Sequence, residues 1–396
     1  MSKLPNWDLS DLYSDINDPN INKDIKNSLE GSKKLEENYR GKIISLSGDE
    51  IAIILDDYDK ISSRLCRVIT FAYLNFATDM LDGKRAEFYQ NSCDKINDIS
   101  KSLIFLGLEI CDLSEDVFAN KMQSKKLQHY SPFLRDLRYG RKYNKSQVIE
   151  EVLHETSQTA ANAWSRFFDQ YLAGLRFVKD GQDYGANEIF NFLSSHDPEV
   201  RKSSSKAIAK TLGDNIKTFA FITNTLAKDK SINDKIRDFE HPVQSRNVAN
   251  LIEDEVVESL TETVKLNYPD ISHRYYKYKA KLFNKEYLDY WDRNAPLPKS
   301  IDRKIPWLEA KDVVLTAYRN FSVQMADIAE LFFDNNWIDA AVTKGKDSGA
   351  FSHSASPDVH PYILLNYQGN VRDVMTLAHE LGHGIHQYLA KEQGYL

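Results

Sequence analysis

Proline is absent between Pro19 and Pro132, and again between Pro132 and Pro198. Proline lacks a backbone N–H and clashes with the preceding turn, so it interrupts any helix it falls inside. Two stretches of this size without one leave room for long helices. Start signals agree with that reading. Ser47-Gly48-Asp49-Glu50 has the form of a capping box ahead of IAIILDDYDKISSRL. Asp197-Pro198-Glu199 offers an N-cap, a proline at the first helical position and an acid in the first turn. Apolar residues at three- and four-residue spacing run through 51–128, 146–178, 198–232 and 253–283, with no alternating strand pattern of any length. The first two-thirds of the chain reads as almost entirely helical, without repeats or low-complexity sequence.

Punctuation thickens at DYWDRNAPLPKSIDRKIPW (289–307), where Pro296, Pro298 and Pro306 shape an extended connection between helical layers. It is not read as a domain linker, because Trp291, Ile301 and Trp307 need burial. A helix from about Trp307 to Phe333 follows. The texture then turns rich in Gly, Ser and Pro, with one good strand at Tyr362–Tyr367. A shorter extended piece, Ser348–His353, predicts a β-hairpin whose loop is Ser354–Val359. This is the only convincing β-structure in the sequence, so the fold class is mainly α with one small β-hairpin or sheet just before a His-rich helix.

Composition closes off several function classes. The 396 residues are 42% hydrophobic and 28% charged, with a net charge of -7 and no long basic block. Phosphate binding needs a concentrated basic face, so nucleic acid is not an expected partner. The start, MSKLPNWDLSDLY, has no apolar core of a signal peptide. No run reaches the roughly 18 apolar residues of a membrane helix. Three cysteines (Cys66, Cys93, Cys111) are too few and too scattered for a disulfide framework or a thiolate metal site. They are expected to be small core residues of a reduced, cytoplasmic protein. Oligomeric state is not legible.

Five of the ten histidines (His353, His360, His379, His383, His386) lie in the last 44 residues. VMTLAHELGHGIHQYLAKEQGYL contains His-Glu-x-x-His. At 100° per residue, Val374, Leu377, Ala378, Leu381, Ile385, Tyr388 and Leu389 share one broad apolar face, and His379, His383 and His386 lie opposite. Imidazoles at i and i+4 can reach one zinc ion, and Glu380 beside them can act as general base. Gly382 and Gly384 weaken the helix by about 1 kcal/mol each relative to Ala, which a helix with no site to serve would avoid. His386 lies seven residues beyond His379, about 10 Å along the axis, too far to share the ion. Glu392 could reach it only through a sharp turn at Gln393-Gly394. His353 and His360, on the hairpin segments before the motif, could approach the ion, but a polar loop residue is the expected role of each. Gly349-Ala350-Phe351 is a candidate strand edge on which a peptide backbone could be held.

SGAF…HPYILLNYQGNVRDVMTLAHELGHGIHQYL resembles the active-site segment of the oligoendopeptidase F family, within the thimet-oligopeptidase-type zinc metallopeptidases. WDLSDLY, LDYWDRNAPLP and the helical texture between extend the resemblance along effectively the whole chain. The resemblance implies a multi-helix body around a peptide channel, with a helical lobe or lobes over 1–195 and the zinc peptidase domain starting at 196. It implies one Zn2+ per chain on His379 and His383, Glu380 as general base, and Gly349, Ala350 and Phe351 aligning an oligopeptide substrate. The activity implied is hydrolysis of internal bonds of short oligopeptides. In this family the third zinc ligand is a Glu on a later helix, so it is expected beyond residue 396. The catalytic domain would then be incomplete, and residues 1–396 by themselves would bind zinc weakly and hydrolyse peptides poorly or not at all. Two rivals stay open: a related helical zinc carboxypeptidase, and a catalytically silent helical protein that binds peptides.

Overall fold

Ser47 does what its position predicts. Its hydroxyl accepts from the Glu50 N–H (3.3 Å) while the Glu50 carboxylate accepts from the Ser47 N–H (2.7 Å), and the helix begun there runs from Gly48 to Thr78. The chain is seen in a computed structural model that describes residues 4–298 and 303–396. The apolar spacing read over 51–128 is realised as Gly48–Thr78 followed by Gly83–Lys101, Ile104–Cys111, Glu115–Lys121 and Lys125–Gln128. No proline makes these breaks. At three of them short polar side chains do, by accepting from the first free N–H groups of the next helix, whereas Ile104–Cys111 starts after Leu103 without a side-chain cap. Asp82 accepts from Lys84 (2.8 Å), Ser114 from Val117 (3.4 Å) and Ser124 from Leu127 (3.3 Å).

The chain divides into two compact units, one comprising Met1–Ala163 with Lys304–Leu396 and the other Trp164–Arg303. In the first, Pro19–Tyr39 and Gly83–Lys101 pack on the long Gly48–Thr78 helix. One core there gathers Ile54, Leu55, Ile61, Ile99, Leu106 and Leu134. A second joins the N-terminal segment to the long helix and a later strand through Leu12, Tyr13, Phe71, Leu74 and Tyr362. A third surrounds the His-rich helix, with Trp307, Phe332, Ile338, Ile363, Leu377 and Leu381.

In the second unit, Pro198–Asp214 and Ile216–Arg237 follow the predicted Asp197 cap, whose carboxylate accepts from the Glu199 N–H at 2.8 Å. Asp254–Leu266 runs through a π-helical turn at Pro269–His273 into Arg274–Leu282. The wider turn falls where proline withholds an N–H from the ladder. A small core collects Phe177, Ala186, Ile189, Ala207 and Ile208.

Two expectations are corrected. The helix over 307–333 is two helices, Trp307–Phe321 and Val323–Asp334, broken where Ser322 turns extended and accepts from the Met325 N–H (3.4 Å). The predicted hairpin is not the only β-structure. Strands β1 (Phe177–Lys179) and β2 (Gln182–Tyr184) pair antiparallel across Asp180-Gly181, both at positive φ (51° and 77°). That is the backbone a two-residue type I′ hairpin requires, and Asp-Gly supplies it. A further strand, β3 (Ile338–Asp339), also escaped the sequence reading. In the connection at 289–307, Trp291 is half-buried and Trp307 buried, while Ile301 lies outside the described residues.

Candidate functional site

The helix Val371–Ala390 begins where the Asp373 carboxylate accepts from the N–H groups of Asn370 and Gln368, both at 2.9 Å. Val374, Leu377, Leu381 and Ile385 are buried in the core around it, as the pattern requires, whereas Leu389 at the end of the stripe is 49% exposed. His379, His383 and His386 all face outward. The Nε2 atoms of His379 and His383 lie 3.0 Å apart, with the rings nearly perpendicular (82°). Two nitrogens sharing a tetrahedral zinc stand about 3.3 Å apart, given bonds of about 2.0–2.1 Å. The pair therefore fits two positions of such a site. Among the described residues no group of three or more His, Cys, Asp and Glu side chains could hold a metal ion, so neither His386, His353, His360 nor Glu392 joins the pair.

Glu380, between the two histidines in sequence, is only 8% exposed. Its carboxylate makes no hydrogen bond or ion pair among the described residues. A carboxylate that no neighbouring side chain ties up is free to take a proton, as a general base must. Tyr318, on the Trp307–Phe321 helix, donates its hydroxyl to the Ala378 carbonyl, the residue before His379. Burial pushes the Tyr318 phenol upward, which keeps it a donor. Sequence could not have flagged this residue, which contacts the motif across sixty positions of chain.

The predicted hairpin forms with shorter strands, β4 (Phe351–His353) antiparallel to β5 (Tyr362–Leu364), in the register Phe351↔Leu364, Ser352↔Ile363, His353↔Tyr362. Because β3 pairs parallel with the other side of β5, the order is β3-β5-β4 and β4 is an edge. Of the candidate substrate-aligning residues, Phe351 lies in β4, with Gly349 and Ala350 just before it. Phe351 is half-buried against Trp7 and Tyr73, with centroids 6.5 and 5.7 Å away. Lys346 fixes the sheet from beneath. Its buried ammonium donates to the carbonyls of Ala341 and Leu365 (both 2.7 Å) and to the Asp339 carboxylate. Burial pulls the Lys346 pKa down and Asp339 opposes that pull.

His360 is a core residue rather than a polar loop one. It is 6% exposed, stacked on Trp337 at 3.8 Å, and its Nε2 lies 3.0 Å from an Asp11 oxygen. Burial lowers its pKa and that of His353, whose Nδ1 accepts from the Ala355 N–H at 3.1 Å. Cys111 is buried, Cys66 and Cys93 are half-buried, and all three are free thiols. Among the described residues no helix is long and apolar enough to cross a membrane.

Residues 191–395 match the model of peptidase family M3, and residues 109–177 match that of oligopeptidase F. Oligopeptidase PepF of Bacillus subtilis is 28% identical over 98% of this chain and 58% of its own length. Group B oligopeptidase PepB of Streptococcus agalactiae is 27% identical over 89% of this chain and 59% of its own. The chain thus spans about six-tenths of the length of these curated relatives. A solved structure described as a putative oligoendopeptidase F from Bacillus anthracis superposes with a TM-score of 0.70 at 18% identity, covering 94% of this chain and 65% of that one. A putative peptidase from Chlamydophila abortus does so at 0.64 and 21%, covering 99% and 68%. Both share the mainly helical fold.

Proposed function

From the premise that this chain belongs to peptidase family M3, we propose that it serves zinc-dependent hydrolysis of internal peptide bonds in short, unstructured oligopeptides. The observation that carries the reading is the His379–His383 pair, whose Nε2 atoms converge to 3.0 Å on an exposed helix face beside the shielded, unpaired Glu380. His379 and His383 would hold one Zn2+ per chain, as two of the three protein ligands that a catalytic zinc takes. Bound there, the ion would polarise the scissile carbonyl and make water a better nucleophile at neutral pH. Glu380 accepts the proton of the attacking water and returns it to the leaving amine. Gly349, Ala350 and Phe351 make up the β4 edge segment that aligns the substrate by β-strand addition, with Ala350 presenting the outward main-chain groups. The helical lobe over 1–195 and the peptidase part from 196 belong to the same proposal, as does a cytoplasmic setting, with which the three free thiols agree.

The test is a peptide blocked at both ends, incubated with the zinc-loaded chain. With two ligands among the described residues, zinc should bind weakly and reversibly to chelator. Whatever cleavage occurs should be internal. Glu380→Gln should keep the zinc and lose on the order of 10²–10⁴ of the rate, while His383→Ala should lose the zinc. Cleavage confined to free peptide ends would favour a carboxypeptidase. Peptide binding with no hydrolysis that depends on Glu380 would favour a catalytically silent peptide-binding protein.

A further inference from the structure

The β4 edge is already partly in use. Along β5 the N–H of Ile363 donates to Trp337 (2.9 Å) and that of Leu365 to Asp339 (2.8 Å), so these residues face β3. In an antiparallel pair, hydrogen-bonded and non-hydrogen-bonded positions alternate. Tyr362 and Leu364 therefore face β4, where their partners are His353 and Phe351. Ser352, opposite Ile363, must turn its own N–H and C=O away from the sheet, toward whatever joins the edge. Continuing that alternation, Ala350 does the same two residues earlier.

The outward carbonyl of Ser352 is not left for a substrate. Gln387 donates its Nε2 to it at 3.3 Å and accepts the Ser352 hydroxyl on Oε1 at 2.8 Å. Gln387 follows His379 and His383 at the next four-residue step, so it stands on the ligand-bearing face of the helix. A side-chain carboxamide carries the same donor as a peptide group, so Gln387 takes, at the Ser352 carbonyl, the donor place of a pairing strand, while its own oxygen is held by the Ser352 hydroxyl.

We propose that Gln387 is a positioning residue that ties the β4 edge to the zinc-motif face through Ser352 and restricts main-chain pairing of a bound peptide to Ala350. The inference rests on the reading of β4 as the peptide-aligning edge. Its consequence is a single register. With Gln387 in place, a peptide finds one pair of outward groups, at Ala350. Without it, the peptide can also pair at Ser352 and slide by two residues.

The experiment scans a short fluorescent peptide, N-methylated at one amide at a time, for binding to the zinc-loaded chain. The expected result for the unaltered protein is one position at which methylation weakens binding by about tenfold, the upper range for one lost hydrogen bond. Gln387→Ala should flatten that contrast to about twofold, with zinc affinity unchanged by chelator competition. Ser352→Ala, which removes the hydroxyl anchor from the strand side, should flatten it partly, and circular dichroism checks that both variants fold. An identical methylation profile in folded Gln387→Ala and unaltered protein overturns the proposal alone. An unaltered chain that binds no peptide overturns it together with the functional reading, and is told apart by needing no variant.

Discussion

Two glycines sit two residues apart on the helix that carries His379 and His383, and they serve different ends. A Cβ on Gly384 would meet the Phe332 ring at 2.7 and 2.8 Å, and that ring is fully buried. A Cβ on Gly382 would meet only the Tyr318 hydroxyl, at an ordinary 3.6 Å. Gly384→Ala should therefore destabilise the protein by about 1–3 kcal/mol through overpacking. Gly382→Ala should be neutral or stabilising by up to about 1 kcal/mol from helix propensity. Urea unfolding of the two variants checks the pair, and equal midpoints would refute the packing account. The sequence suggested that both glycines served the site. A signal against that was present, because Gly384 lies seven residues after Leu377 and three after Leu381, on the apolar stripe. The histidine pair itself was legible because i, i+4 spacing sets its geometry within one helix. Tyr318 and Gln387 were not, since nothing local to either residue says what it will touch.

At the scale of elements, what was legible was local. The Ser47 and Asp197 caps are decided within a few residues and came out as read. The β1–β2 hairpin was missed because three-residue strands are too short for alternation to register, although Asp180-Gly181 is a turn signal in its own right. Strand β3 has no such signal. Its two residues are a strand only because β5 pairs with them and Lys346 pins both. That dependence gives a prediction. Lys346→Met would leave the Asp339 carboxylate, 3% exposed, with Asn6 Nδ2 (3.0 Å) as its remaining side-chain donor. Removing one partner of a buried ion pair costs about 3–5 kcal/mol. Lys346→Met should therefore lower the urea midpoint by far more than Gly382→Ala changes it. Hydrogen exchange should quicken first at Ile363 and Leu365, whose N–H groups pair with β3. Protection of those amides equal to that in the unaltered protein would show that the sheet does not depend on the ammonium.

At the scale of the whole molecule, periodicity says which faces are apolar but not which faces meet. The chain leaves the first unit after Ala163 and returns to it at Lys304, so that Tyr362 packs with Leu12 and Phe71. No local pattern encodes such a return. The second unit has a small apolar core, and a buried ionic cluster carries part of the burden of holding it. Asp292 is fully buried and accepts from Arg201 Nε (3.2 Å) and Nη2 (2.7 Å) and from Lys285 Nζ (2.6 Å). Burial works against its charge, yet Lys285 and Arg201 together hold the carboxyl below its ordinary value. Arg201 also donates to the carbonyls of Ser195 and His196, at 2.8 and 2.9 Å. Asp292→Ala would strand a guanidinium that has almost no access to water, at a cost of about 3–5 kcal/mol. If the two units open as separate cooperative blocks, amide exchange should accelerate through Pro198–Asp214 and Arg274–Leu282. It should stay unchanged in Val371–Ala390, and the zinc affinity of the His379–His383 pair with it. Equal acceleration in both units would mean that the chain opens as one block. The stability of the histidine pair would then depend on a carboxylate that belongs to the other unit.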